Sequence, residues 1–287
     1  MLKPRAVDHV EISARPEPAT LNELGRRLEA GNVFVLSGAG VSTDSGIPDY
    51  RDEDGAWKTS APMQYRDFVG SEAARKRYWA RSMLGFSLMS RVAPNPAHHA
   101  LARLEQRGLL SQLVTQNVDN LHRRAGSERV IDLHGRIDQV KCLGCGDISQ
   151  RSALQRELLR RNPTFSALEA RVKPDGDAEL ELTSYASFEL VPCAACGGML
   201  KPDVVFFGEN VPTPRVAEAM TALERSSLLL ILGSSLMVFS GFRFARTAHR
   251  AGIPIAIVNR GKTRADELGA LKISGNVGAV LGALVGA

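Results

Sequence analysis

The chain has 287 residues, 44% of them hydrophobic, enough to bury one sizeable core and a minor one; this favours one large domain with an insertion over two independent domains. Its net charge of +5 comes from 36 basic and 31 acidic residues spread along the chain, which argues against a nucleic-acid-binding arm. The longest apolar run, Leu228 to Leu232, is too short to span a bilayer, and residues 1–20 lack the apolar stretch of a secretory signal. Asp8, Glu11 and Glu17 set the start apart from a transit peptide, so a cytoplasmic location is expected ahead of a mitochondrial one.

In chain order, Leu21, Leu24 and Leu28 give residues 21–30 a helical period, and residues 32–36 read as a buried strand running into Ser37-Gly38-Ala39-Gly40. Glycines after a strand let backbone approach a pyrophosphate, and a following helix N-terminus would present free N–H groups to it. The run Gly38-Ala39-Gly40-Val41-Ser42-Thr43 lacks the third glycine of GxGxxG, and no acidic residue ends a second strand about 20 residues later, which speaks against a redox dehydrogenase. A bland buried turn competes with the nucleotide-binding reading at this point. The continuation Ser45-Gly46-Ile47-Pro48-Asp49-Tyr50-Arg51 is too rich in turn formers for a core and reads as a functional loop.

Residues 73–89 read as a helix, Pro94-Asn95-Pro96 punctuates, and residues 98–106 read as another, so residues 51–108 are expected to hold a cofactor loop and a helical insert. Further buried strands at 112–115, 228–232 and 253–258, each bounded by helical or turn-forming segments, give the pattern of a parallel sheet. The expected fold is α/β: residues 1–140 and 201–287 form a Rossmann-like domain, and residues 141–200, with little apolar periodicity, form a small inserted module.

All four cysteines fall in two pairs of equal spacing, Cys142/Cys145 and Cys193/Cys196. Redox pairs or disulfides are the competing readings. Two CxxC pairs and no other cysteine in an intracellular chain point instead to one structural Zn2+ ion held by four thiolates, with no open position for catalysis. The 47 residues between the pairs exceed the gap of a simple zinc ribbon, so an elaboration is expected there.

Taken together, GAGVSTDSGIPDYR (38–51), TQNVDNLH (115–122), LHG (133–135), the two CxxC pairs, KPDVVFFGE (201–209), GSSL (233–236) and VNRG (258–261) resemble, in order, the signature motifs of sirtuins. The long zinc-module insert and RYWARS (77–82) resemble the class II branch of that family. The resemblance implies an NAD-dependent protein lysine deacylase that releases nicotinamide and O-acyl-ADP-ribose, acting on acylated proteins or peptides, with no specific nucleic acid and no membrane as partner.

By the same resemblance, Gly38, Ala39, Gly40, Ser42 and Thr43 cradle phosphates of NAD+, and Ile47, Asp49, Tyr50 and Arg51 form a loop over it. Gln116, Asn117, Val118 and Asp119 line the ribose and nicotinamide pocket, with Asn117 and Asp119 counted with the catalytic residues. Gly233, Ser234, Ser235, Asn259, Arg260 and Gly261 contact the adenosine half, and Val277 approaches the adenine. His134 is the candidate general base, since an imidazole with a pKa near 6.5 can take a proton from a ribose hydroxyl. His9, His98, His99, His122 and His249 read as structural.

The run from Val204 to Phe207 reads either as a core strand or, by resemblance, as an edge that pairs with the substrate backbone, with Val205 and Phe206 walling an acyl tunnel. Tyr78 and Arg81 stand three apart on one helix, able to hold a carboxylate, and resemble the acidic-acyl-lysine motif of the desuccinylase branch; a plain surface helix competes. Asp52 departs from the family pattern, in which serine is common after the arginine. A protein mono-ADP-ribosyltransferase using the same site remains the alternative enzyme, and a non-catalytic zinc-ribbon binding module the alternative of another class.

Overall fold

A computed structural model describes residues 17–50, 52, 54, 58, 62–166, 171–172, 178–179 and 184–285. Helix α1 (Pro18–Glu29) starts on a proline, whose missing N–H costs nothing in a first turn, and buries Leu24 and Leu28. It leads to β1 (Val33–Ser37), buried throughout. The α-helix expected after the glycine turn is absent: two single 3-10 turns, Ala39–Val41 and Thr43–Ser45, follow instead, and the left-handed Gly46 ends the second.

Helix α2 (Tyr65–Gly70) precedes α3 (Glu72–Met89), which Ser71 caps by accepting the Ala74 N–H. Helix α4 (Pro96–Gln106) opens with a capping box: the Asn95 side chain accepts from Ala97 and His98 N–H, and His98 Nδ1 accepts the Asn95 N–H. Then come β2 (Leu110–Thr115), α5 (Leu121–Arg124), β3 (Val130–Asp132), β4 (Gly135–Cys142), β5 (Ile148–Gln150), α6 (Arg151–Arg161) and α7 (Pro163–Ser166). Two short strands, β6 (Arg171–Val172) and β7 (Ala178–Glu179), lead to β8 (Leu200–Val204). The chain closes with α8 (Thr213–Glu224), β9 (Leu228–Leu232), α9 (Phe239–Arg250), β10 (Ile255–Val258), β11 (Leu271–Ile273) and α10 (Val277–Val285). Among the described residues no helix is long and apolar enough to cross a membrane.

Six strands form one parallel sheet in the order β3-β2-β1-β9-β10-β11. Along β1 the pleat sends Val33 and Val35 into a core with α1, α4 and α10, and Phe34 and Leu36 into a second core with α8 and α9. The expected Rossmann-like fold is therefore present, with helices on both faces. From β1 the chain runs outward through β2 to β3, then returns to β9 on the other side of β1. At such a reversal neighbouring crossovers diverge and leave a crevice at the carboxyl ends of the strands.

A separate antiparallel sheet, β5-β4-β8, carries the cysteines, and its core joins α2 and α3 to α6 and α7 through Phe68, Trp79, Met83, Leu154, Leu158 and Phe165. Three expectations need correction here. Residues 141–200, read as aperiodic, hold the eleven-residue helix α6. Of the two helices in the expected insert, α4 packs under the large sheet and α3 on the small module. The run from Val204 to Phe207 is also not one strand: β8 ends at Val204.

Candidate active site

At the reversal, the turn after β1 and the turn after β9 interlock. Gly40 N–H donates to the Gly233 carbonyl at 2.9 Å, and a Cβ on Gly40 would lie 2.9 Å from Gly233 Cα, so the two turns meet backbone to backbone. Above them opens a cavity of about 440 Å³. Its floor is Gly38, Ala39 and Gly40 on one side and Gly233, Ser234 and Ser235 on the other. Gln116, Asn117 and Val118, after β2, and Asn259, Arg260 and Gly261, after β10, extend the floor to either side. Asp49, Tyr50, His134, Tyr78, Val205 and Phe206 complete the candidate residues in the wall. A floor that added Cβ atoms would fill, at the ends of parallel strands, fits a dinucleotide phosphate.

Other candidates stand back from the cavity. Ser42 and Asp119 are buried behind the wall, Ile47 packs in the small-module core, and Val277 lies in the large-domain core. Thr43 donates to the Gly40 carbonyl and braces the turn. Arg51 lies outside the described residues. Asp49 pairs with Lys58 at 2.6 Å, and Asp54 with Lys262 at 2.9 Å, tying the loop to itself and to the segment after β10.

His134 occupies the two-residue link between β3 and β4, where the chain passes from the large sheet to the small one. Gly135 makes that passage possible: its φ is +82°, and a Cβ there would fall 1.9 Å from the Asp203 carbonyl oxygen. The His134 carbonyl accepts the Val205 N–H at 2.8 Å, so the link is clamped to the segment after β8. Nδ1 lies 2.9 Å from the Gln116 carbonyl, which can only accept, so Nδ1 carries the proton. Nε2 is then the acceptor, and the Ser240 hydroxyl donates to it at 2.8 Å. Burial pushes the imidazole down to about 4; the Gln116 contact opposes this, and the charges of Arg215 and Arg243 add to it. The ring is thus neutral at neutral pH, with its lone pair on the cavity side.

Behind the wall runs a buried polar network. Asn117 Nδ2 donates to Gly38 O and to Ser42 Oγ, both at 3.1 Å, and Ser42 Oγ donates to Asp119 Oδ2 at 2.7 Å. Asp119 Oδ1 accepts the Leu121 N–H, while burial raises its carboxyl above the usual range. The rings of His98 and His122 lie 4.8 Å apart, tilted by 60°, and His122 Nε2 meets Ser37 Oγ at 2.8 Å. Burial holds His98 down to about 4 and His122 well below its ordinary value. An unfolded chain therefore binds protons below pH ~6.5 that the folded chain refuses at these two rings and at His134. Stability is expected to fall as pH drops from ~6.5 toward ~4, by up to about 1.4 kcal/mol per pH unit for each histidine; Asp119, raised in the fold, opposes the loss at the acid end. Urea midpoints at pH 7.5, 6.5 and 5.5 with zinc in excess test this; an unchanged midpoint would refute it.

Tyr78 reaches the cavity through a ring cluster, edge-on to Phe68 at 5.4 Å and tilted against Phe206 at 5.1 Å. Arg81, one turn on, is half-buried and outside the cavity wall, so the two expected carboxylate holders are not brought together there. The fully buried guanidinium of this region belongs to α6: Arg151, stacked between Trp79 and Phe86 at 5.2 and 4.6 Å. Ser240, Phe239 and Arg243, at the start of α9, also line the cavity and lie outside every motif read from the sequence. Their one local signal is position, immediately after the GSSL turn.

The four cysteine Sγ atoms lie within 4.8 Å of one another, Cys142 to Cys196 at 3.5 Å and Cys145 to Cys193 at 3.9 Å. Tetrahedral zinc with ~2.3 Å bonds sets its sulfurs about 3.8 Å apart, so the set fits. Gly144 and Cys145 N–H groups donate to Cys142 Sγ, and Gly198 N–H to Cys196 Sγ, as a thiolate set requires.

Comparison with known proteins agrees with this geometry. A family model described as the Sir2 family matches residues 38–240. The chain is 55% identical over 241 residues to the "NAD-dependent protein deacetylase" of Xanthomonas campestris pv. campestris (strain 8004), covering 84% of this chain and 82% of that protein. It is 54% identical over 253 residues to "NAD-dependent protein deacetylase 2" of Bradyrhizobium diazoefficiens, covering 88% and 93%. A solved structure described as "Sir2-p53 peptide-NAD+" superposes with a TM-score of 0.69 at 30% identity, over 91% of this chain and 95% of that one. With the glycine floor at the strand reversal, the imidazole beside it and the four-thiol cluster all in one chain, the protein belongs to the Sir2 family.

Proposed function

We propose that this protein is an NAD-dependent protein-lysine deacylase, a transferase that moves an acyl group from lysine to ADP-ribose. One observation carries the reading: His134 Nε2, held as an acceptor, faces the crevice above a glycine floor, in a chain whose relatives over 84% of its length are NAD-dependent protein deacetylases. Bound NAD+ supplies the electrophilic ribose carbon and the nicotinamide leaving group. In our reading Gly38, Ala39 and Gly40 give backbone access to its phosphates, and Gly233 to Ser235 with Asn259 to Gly261 hold the adenosine half. Asn117, fixed by Gly38 and Ser42, lines the nicotinamide end, and Asp119 anchors that network from behind. His134 takes the ribose hydroxyl proton at Nε2, displacing the Ser240 hydroxyl. Val205 and Phe206 wall the entry of the acyl-lysine, and the zinc ion is structural.

Residues 141–200 with the ends of β4 and β8 form the zinc-bearing unit in this reading, and the class II assignment rests on RYWARS and the long insert. We place the protein in the cytoplasm, a compartment that keeps free thiols reduced. The test is nicotinamide release from labelled NAD+ with acetyl-, succinyl- and lipoyl-lysine peptides. Peptide-dependent release with label in free O-acyl-ADP-ribose supports deacylation; label fixed on protein, with no peptide dependence, would replace it by ADP-ribosyl transfer.

A further inference from the structure

Helix α9 begins in the cavity wall and carries a row of cations outward from it. Phe239, Arg243 and Arg246 stand at i, i+4 and i+7, on one face of the helix. Phe239 is 45% exposed, and the guanidinium carbons of Arg243 and Arg246 lie 5.4 and 4.9 Å from its ring centroid. Arg264 adds a third guanidinium, 4.3 Å over the neighbouring Phe242 ring. Among the described residues none of these three arginines has a carboxylate within salt-bridge distance, and Arg243 Nε is buried without a hydrogen-bond partner. Of the other cations near the mouth, Lys58 pairs with Asp49, Lys262 with Asp54 and Lys201 with Glu209, while Arg260, in the cavity floor, adds to the unneutralised positive charge. An unneutralised row beside an exposed ring is a surface left open to an anion.

We propose that this face of α9 docks acidic side chains of the protein substrate, so that the enzyme selects acyl-lysines flanked by glutamate or aspartate. This deepens the deacylase reading and rests on it. Ser240 Oγ lies 2.8 Å from His134 Nε2, and Ser240 and Arg243 are neighbours at i and i+3. Arg243 therefore stands one helical turn from the hydroxyl that meets His134, beside the point an acyl-lysine must reach. Arg246 lies about 4.5 Å further along the helix axis, a distance an extended peptide covers in one or two residues. Acidic groups within about three positions of the lysine can reach the row. A guanidinium already laid on an aromatic face is pre-organised to take a carboxylate with little loss of side-chain freedom.

The experiment uses the full zinc-loaded chain and fluorescent acetyl-lysine peptides with Glu, Gln or Lys on each side of the acylated residue. Anisotropy reads binding, and nicotinamide release reads turnover. The Glu peptide is expected to bind about three- to tenfold more tightly than the Gln peptide, less so at ~0.5 M salt, and Arg246→Glu is expected to reverse the order in favour of the Lys peptide. Ratios are taken within each protein, so a partial folding defect does not imitate the result. Equal Kd values for the three peptides in the wild type, or a Glu preference that survives Arg246→Glu, would overturn the proposal. So would an Arg246-dependent grip on single-stranded DNA with no discrimination among peptides. Charge-selective binding without turnover would leave the docking surface standing and refute the deacylase reading instead.

Discussion

His134→Ala is expected to lower peptide-dependent nicotinamide release by about 10²- to 10⁴-fold, the usual worth of a positioned general base. The size of the effect follows from how completely the imidazole is prepared. Gln116 O fixes the proton on Nδ1, burial keeps the ring neutral, and Nε2 faces the cavity with the Ser240 hydroxyl on it. Among the described residues no other imidazole lines the cavity, and His98 and His122 sit behind the wall in their own network. The floor on which NAD+ would lie is built from Gly38 to Gly40 and Gly233 to Ser235, so NAD+ binding by calorimetry should persist. Ser240→Ala makes the informative contrast. If Ser240 only occupies Nε2 until the ribose arrives, that variant keeps activity within about tenfold. A His134→Ala protein that retained more than a tenth of wild-type kcat would show that the proton goes elsewhere.

Stripping zinc is expected to cost the enzyme all its activity, although no step of the chemistry runs through the metal. Structural zinc in small domains contributes about 10–16 kcal/mol of apparent binding free energy at pH 7, more than the stability of most domains. The two CxxC knuckles join the end of β4 to the segment before β8. Those same strands lead to the active site: β4 starts one residue after His134, and Val205, one residue past β8, holds the His134 carbonyl. Without the metal the strands separate and the His134 link loses its clamp, while the large sheet keeps its own two cores. Metal analysis should find one zinc per chain. Chelator-treated protein, or Cys196→Ser, should lose turnover with most of its helix signal retained. Full activity in metal-free protein would refute this coupling.

The amino-acid sequence alone determined the frame, because the signals involved are local. Central strands of a parallel sheet are covered on both faces, so 33–36 and 228–232 are continuous apolar runs that announce themselves. A zinc knuckle needs two thiols on one turn, so CxxC is legible wherever it lands. Helix α6 was not legible: in an arginine-rich stretch only Leu154 and Leu158 mark its buried side, and Arg151, which reads as surface, is wholly buried against Trp79 and Phe86.

Tertiary structure alone decided the contacts that chemistry depends on. His134 and Ser240 are 106 residues apart in sequence and 2.8 Å apart in space. Tyr78 and Arg81 are three apart on one helix, yet one lines the cavity and the other does not, because the turn of a helix fixes relative direction and the packing of α3 on the small module fixes what each direction meets. The row Phe239, Arg243 and Arg246 was in plain sight as residues; only the docking of α9 against the cavity made it a surface.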